Sequence, residues 1–116
     1  MEKMILCLRR RADLSVEEFR QHWRDVHAPI VARHAATLGI TRYVQVYALD
    51  GPPSAGRPEG FDGIGEVWIE NIDAFRAAVA TPQGGIAVRA LAESDVFLTD
   101  VSRSPRTFGR EVTIIG

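Results

Sequence analysis

Two histidines bracket the stretch "HWRDVHAPI", His22 and His27, five residues apart and just ahead of Pro29. On a helix that spacing turns them about 140° from each other, so they do not share one metal ion comfortably. His34 lies seven residues beyond His27. That is one face in angle, but roughly 10 Å further in rise. Proton transfer is the chemistry left to His27. It falls about 40° from Trp23 and about 80° from Phe19, on or beside an apolar stripe. A helix histidine facing a cavity is a general acid or base. The structural alternative is a half-buried ring bonded to a carbonyl freed where Pro29 breaks the helix.

Tyr43, Gln45 and Tyr47 alternate along "TRYVQVY" and so share one face of a strand. Two phenols and an amide on one side either orient a ligand or pack at an interface. Glu66 lies between apolar residues, as a buried carboxylate paired with an arginine would. Asp62 and Asp100 lie near element ends, as solvated charges or caps. The single cysteine, Cys7, falls in an apolar strand and reads as packing. Neither a nucleophile elbow nor a glycine-rich phosphate loop is present. "DGIGEVWI" imitates an RNA-recognition strand, but Ile64 and Glu66 replace the aromatics that stack bases.

These residues need positioning elements. "KMILCLRR" (3–10) is apolar at nearly every position and reads as a strand buried on both faces. Ser15 with Glu18 forms a capping box. Val16, Phe19, Trp23, Val26 and Ile30 follow a helical stripe. Pro29 predicts a break at Ala28, then a second short helix to Leu38, stopped by Gly39. Strands are expected at 40–49 and 61–69, with a loop at 50–60. Asn71 caps a helix over 71–80, and Thr81-Pro82 restarts a short one. Residues 95–105 read as irregular or one-turn, and 106–116 as the last strand.

The order β-α-β-β-α-β is the split ferredoxin-like arrangement. The chain is α+β, one domain over 1–116, with a single antiparallel four-stranded sheet and both helices on one face. The strands are apolar on both parities, so the bare face would be a large exposed patch. Two sheets packing face to face in a homodimer cover it, which makes a dimeric α/β barrel. Net charge is −1, from 14 basic and 15 acidic residues among 116. That excludes an electrostatic case for nucleic acid or an anionic membrane. One cysteine, no leader-like order of charge and apolar run, and no 20-residue apolar segment predict a cytoplasmic protein.

"LRRRADLSVEEFRQHWRDVHAPI" (8–30), "ITRYVQVY" (40–47), "FDGIGEVWIENIDAF" (61–75) and "ESDVFLTDVSRSPRTFGREVTII" (93–115) resemble the EthD family. The W-x-x-x-H-A-P pattern, Trp23 to Pro29, is the most specific piece. The resemblance implies a dimeric α+β barrel and an accessory role in ether degradation. Related barrels include muconolactone-type isomerases, polyketide cyclases and cofactor-free monooxygenases, and others bind haem. It implies a catalytic pair, His27 and Tyr43, with Trp23, Tyr47, Val67 and Phe97 around a small cyclic or aromatic substrate and no cofactor. Isomerase-like members carry a cysteine where this chain has Val67, and a loop histidine that 50–60 lacks.

Three functions follow. One is cofactor-free acid/base catalysis of isomerase, cyclase or dehydratase type. The second is cofactor-free monooxygenation, or an accessory role to an oxidative pathway. The third is a non-catalytic module that binds a hydrophobic ligand or only dimerises.

Overall fold

A computed structural model describes residues 1–52 and 54–116. Four strands form one antiparallel sheet in the order β2-β3-β1-β4: β1 (Glu2–Leu8), β2 (Ile40–Tyr47), β3 (Gly63–Ile69) and β4 (Arg106–Arg110). The helices are α1 (Val16–His22), α2 (Ala28–Leu38), α3 (Ile72–Val79) and α4 (Pro82–Leu98). The α+β, ferredoxin-like βαββαβ architecture therefore stands, each "α" of that scheme being two helical segments in series. Among the described residues no helix is long and apolar enough to cross a membrane.

The local signals act where they were read. Ser15 and Glu18 close a complete capping box, with Glu18 N–H donating to Ser15 Oγ at 3.0 Å and Ser15 N–H to Glu18 Oε1 at 2.9 Å. Asn71 and Thr81 accept at the starts of α3 and α4. Gly39 ends α2 at φ 70°, a conformation that costs other residues a Cβ clash.

Four expectations need correction. Pro29 does not break the helix. Trp23–His27 widens into a π turn instead, and Ala28 N–H reaches back to Trp23 O. Pro29 has no N–H to offer and would crowd the carbonyl one turn earlier. A wider turn removes that conflict while the helical path continues. The helix after Thr81 is not short. It runs 17 residues to Leu98 and takes in the first part of the supposed irregular segment, leaving a 3₁₀ turn at Val101–Arg103. Gly84 and Gly85 lower its propensity without ending it. The last strand stops at Arg110, which pairs with Glu2, the first residue of β1. Glu66 pairs with Lys3 at 2.7 Å, not with an arginine.

The register settles which strand faces meet the helices. Tyr43 stands across from Val67, Val67 from Met4, and Met4 from Phe108. One core cluster joins Leu8, Phe19, Trp23 and Leu98, and another Met4, Val67 and Ile69. Burying each such large side chain stabilises the fold by about 1.5–3 kcal/mol. The opposite parity, with Ile5, Cys7, Val44, Val46 and Ile64, meets no helix. Val46 on that face is 43% exposed. At its other end Trp68 lies between the cations of Lys3 and Arg42, 4.7 and 4.4 Å from the ring centre.

Candidate functional site

Between the sheet and the helices the two clusters leave a cavity of about 140 Å³. Met4 and Leu6 of β1 and Gly65 and Val67 of β3 form its floor, and Val88, Leu91 and Ala92 of α4 close it from above. The polar groups reaching it are few: His27, Tyr43, Asp95 and Arg106. A mostly apolar pocket with a small set of convergent polar groups is the usual form of a small-molecule site.

His27 closes the π turn, and that turn aims it at α4. It is 7% exposed. Its Nδ1 lies 2.8 Å from Ser94 Oγ, and its Nε2 lies 3.7 Å from Asp95 Oδ1. The tautomer that leaves His27 able to act as a base has Nδ1–H donating to Ser94 Oγ and the lone pair on Nε2, the nitrogen beside the carboxylate. Burial, with a smaller contribution from His22, pushes the imidazole down to about 4. Burial also pushes Asp95 up to about 6, and Arg106 opposes that in part. Near pH 7 the pair is therefore a neutral imidazole beside an ionised carboxylate. A ring so placed can accept a proton, and the anion beside it stabilises the cation that forms.

Tyr43 is oriented by a closed set of hydrogen bonds. Gln45 Nε2 donates to Trp23 O at 2.9 Å and to Tyr43 Oη at 3.0 Å. Tyr47 Oη donates to Gln45 Oε1 at 2.8 Å. The amide is thereby fully used. Tyr43 Oη accepts a hydrogen bond from Gln45, so its own O–H is left to donate elsewhere. Burial, offset only in part by the side chains of Gln45 and Trp23, pushes this phenol up to about 12. It stays a donor, suited to a carbonyl oxygen that gains charge.

Of the residues expected from sequence, His27, Tyr43, Trp23 and Val67 line this cavity. Tyr47 lies one step back, packed against the core and holding Gln45. Phe97 is outside the cavity wall. It is 50% exposed and stacks on His22, with ring centres 4.5 Å apart. The outward turn follows from α4 running past it: Phe97 lies two residues beyond Asp95, about 200° around the helix. Ser94, Asp95 and Arg106 were not foreseen. Asp95 continues the stripe Val88, Leu91, Ala92, and a carboxylate on an apolar stripe was the available signal. Among the described residues no three His, Cys, Asp or Glu side chains are grouped to hold a metal ion.

The EthD domain model matches residues 11–97. The chain belongs to the EthD family. No curated protein matches the sequence. Solved structures do. An ethyl tert-butyl ether degradation (EthD) family protein from Bacillus halodurans superposes with a TM-score of 0.67 at 14% identity, over 97% of this chain and 100% of that one. A dimeric protein of unknown function and ferredoxin-like fold from Bacteroides fragilis gives 0.57 at 17% identity, over 92% of each. A cofactor-independent oxygenase from Streptomyces nogalater gives 0.53 at 18% identity, over 97% and 95%. At these identities the likeness is one of fold.

Proposed function

We propose that this EthD-family protein binds a small cyclic or aromatic metabolite between sheet and helices and moves a proton on it without a cofactor. One observation carries the reading: a buried neutral imidazole, beside a carboxylate, lines the same cavity as a phenol whose proton is free to donate. His27 takes a proton from a carbon next to a carbonyl or lactone. Tyr43 donates a hydrogen bond to the oxygen on which charge develops, and Asp95 faces the imidazolium. Returning the proton at another carbon gives isomerisation, and returning it to a β-hydroxyl that departs as water gives dehydration. We further propose that a second copy covers the open sheet face around Ile5, Val44, Val46 and Ile64, and that the setting is cytoplasmic.

The test is deuterium incorporation into a butenolide, α-angelica lactone, followed by proton NMR in heavy water. The wild-type chain exchanges the acidic carbon faster than buffer. His27→Ala, still folded, loses about 10²–10⁴-fold of that rate. A His27→Ala chain with full rate rejects the reading. The likeness to a cofactor-independent oxygenase supports a second reading, in which the same cavity desolvates and orients an electron-rich phenol for oxygen. Oxygen uptake with a phenolic probe, and no lactone exchange, selects it.

A further inference from the structure

β4 places Arg106, Phe108 and Arg110 on one side of the sheet, across from Leu6, Met4 and Glu2. Their surroundings differ. Phe108 packs on Phe75 with ring centres 6.0 Å apart. Arg110 reaches Glu2 at 3.4 Å. The arginines in ion pairs are Arg10, Arg11, Arg20, Arg24 and Arg110. Arg106 is in none of these among the described residues, although it lines the His27 cavity. It faces Asp95 across that space and acts on its charge from beyond ion-pair distance.

A guanidinium with free donors at the rim of an apolar cavity is a receptor for a planar anion, which its fork matches in two parallel hydrogen bonds. The size of the space limits what else the anion carries. The volume of about 140 Å³ compares with an apolar cavity of about 150 Å³ that admits benzene. The sheet order sets the span. Tyr43 is on β2 and Arg106 on β4, the two outer strands, three strand spacings or about 14 Å apart. Side chains reaching inward from both edges leave room for one ring between them. A dianion such as a phosphate ester would meet a single cation there, with the Asp95 carboxylate close by.

We propose that the ligand of this cavity is a one-ring carboxylate, its ring against Leu6, Trp23 and Val67 and its carboxylate on Arg106. This rests on the reading of the cavity as a ligand site. The reacting carbon then lies toward His27 and Tyr43, and Arg106 fixes which end of the ring faces them.

The test uses two probes of equal shape, benzoate and benzamide, titrated against the full chain by calorimetry at about pH 7. The wild-type chain binds benzoate about ten- to a hundred-fold more tightly than benzamide. Arg106→Gln removes that preference, and Arg106→Lys keeps part of it. Equal binding of the two probes by the wild-type chain overturns this proposal alone. So does a benzoate preference that survives Arg106→Gln. Binding of neither probe overturns it together with the ligand-site reading.

Discussion

Asp95→Asn removes one of two buried groups that act on stability in opposite directions as pH changes. Burial lowers the His27 imidazole from 6.5 to about 4. Between those values the unfolded chain binds a proton that the folded chain does not. The stabilisation is complete above pH 6.5 and is lost as pH falls toward 4. At about 1.4 kcal/mol for each pH unit, it amounts to about 3 kcal/mol. Asp95 is displaced the other way, from 3.8 to about 6. Its folded form holds the proton more tightly, so its stabilisation is present below 3.8 and lost as pH rises through about 6. The same conversion gives about 3 kcal/mol, but the side chain is 34% exposed, and solvent screening reduces this to roughly half. In the wild-type chain the two contributions partly cancel between pH 4 and 7. In Asp95→Asn only the histidine contribution is left. Urea unfolding at pH 7 and at pH 4 measures this, and the wild-type change subtracted from the variant's removes the surface carboxylates common to both. The variant loses about 1–2 kcal/mol more than wild type on going to pH 4. His27→Gln shows the opposite sign. Identical pH dependence in wild type and Asp95→Asn refutes the claim that burial raises the Asp95 carboxyl, and identical pH dependence in wild type and His27→Gln refutes the claim that burial keeps His27 neutral.

The remaining predictions probe packing, site and assembly. Tyr43→Phe keeps the fold within about 1–2 kcal/mol by thermal melt, since only a half-satisfied amide is left behind. It slows lactone exchange about 10²–10³-fold by removing the donor to the developing oxyanion. Gly84→Ala costs more than about 3 kcal/mol in urea unfolding, because a Cβ there falls 1.9 Å from the Ala78 carbonyl oxygen, and backbone cannot swing away. Ile64→Lys, on the open sheet face, halves the mass seen by light scattering while the helix signal in circular dichroism is unchanged. An Ile64→Lys chain that remains a dimer rules out the sheet face as the interface.

The topology was legible because independent local signals agreed: strand alternation, the Ser15 capping box, Asn71 and Thr81 at helix starts, and Gly39 at a helix end. The π turn was not, because proline chemistry gives two outcomes of similar cost, a break or a widened turn, and the choice belongs to the packing of Trp23 and Phe19 beneath it. The facing of the strands was not either, since both parities are apolar and only the register decides. Half of the site was readable. His27 and Tyr43 carry their chemistry in their types and spacing. Asp95 was hidden by the expectation that α4 is short. Arg106 was hidden because a cation alternating with Phe108 on a short edge strand looks like an ordinary solvated charge.

The central claim is that His27 is a neutral base lining a cavity that takes a small ring. Long-range proton–nitrogen NMR of the labelled chain reads the imidazole directly, and benzamide serves as a ring without charge. The ring is then neutral at pH 7, protonated on Nδ1 with its lone pair on Nε2, and both nitrogen shifts move in a saturable way as benzamide is added. A ring already protonated on both nitrogens at pH 7, or nitrogen shifts indifferent to benzamide, contradicts that claim.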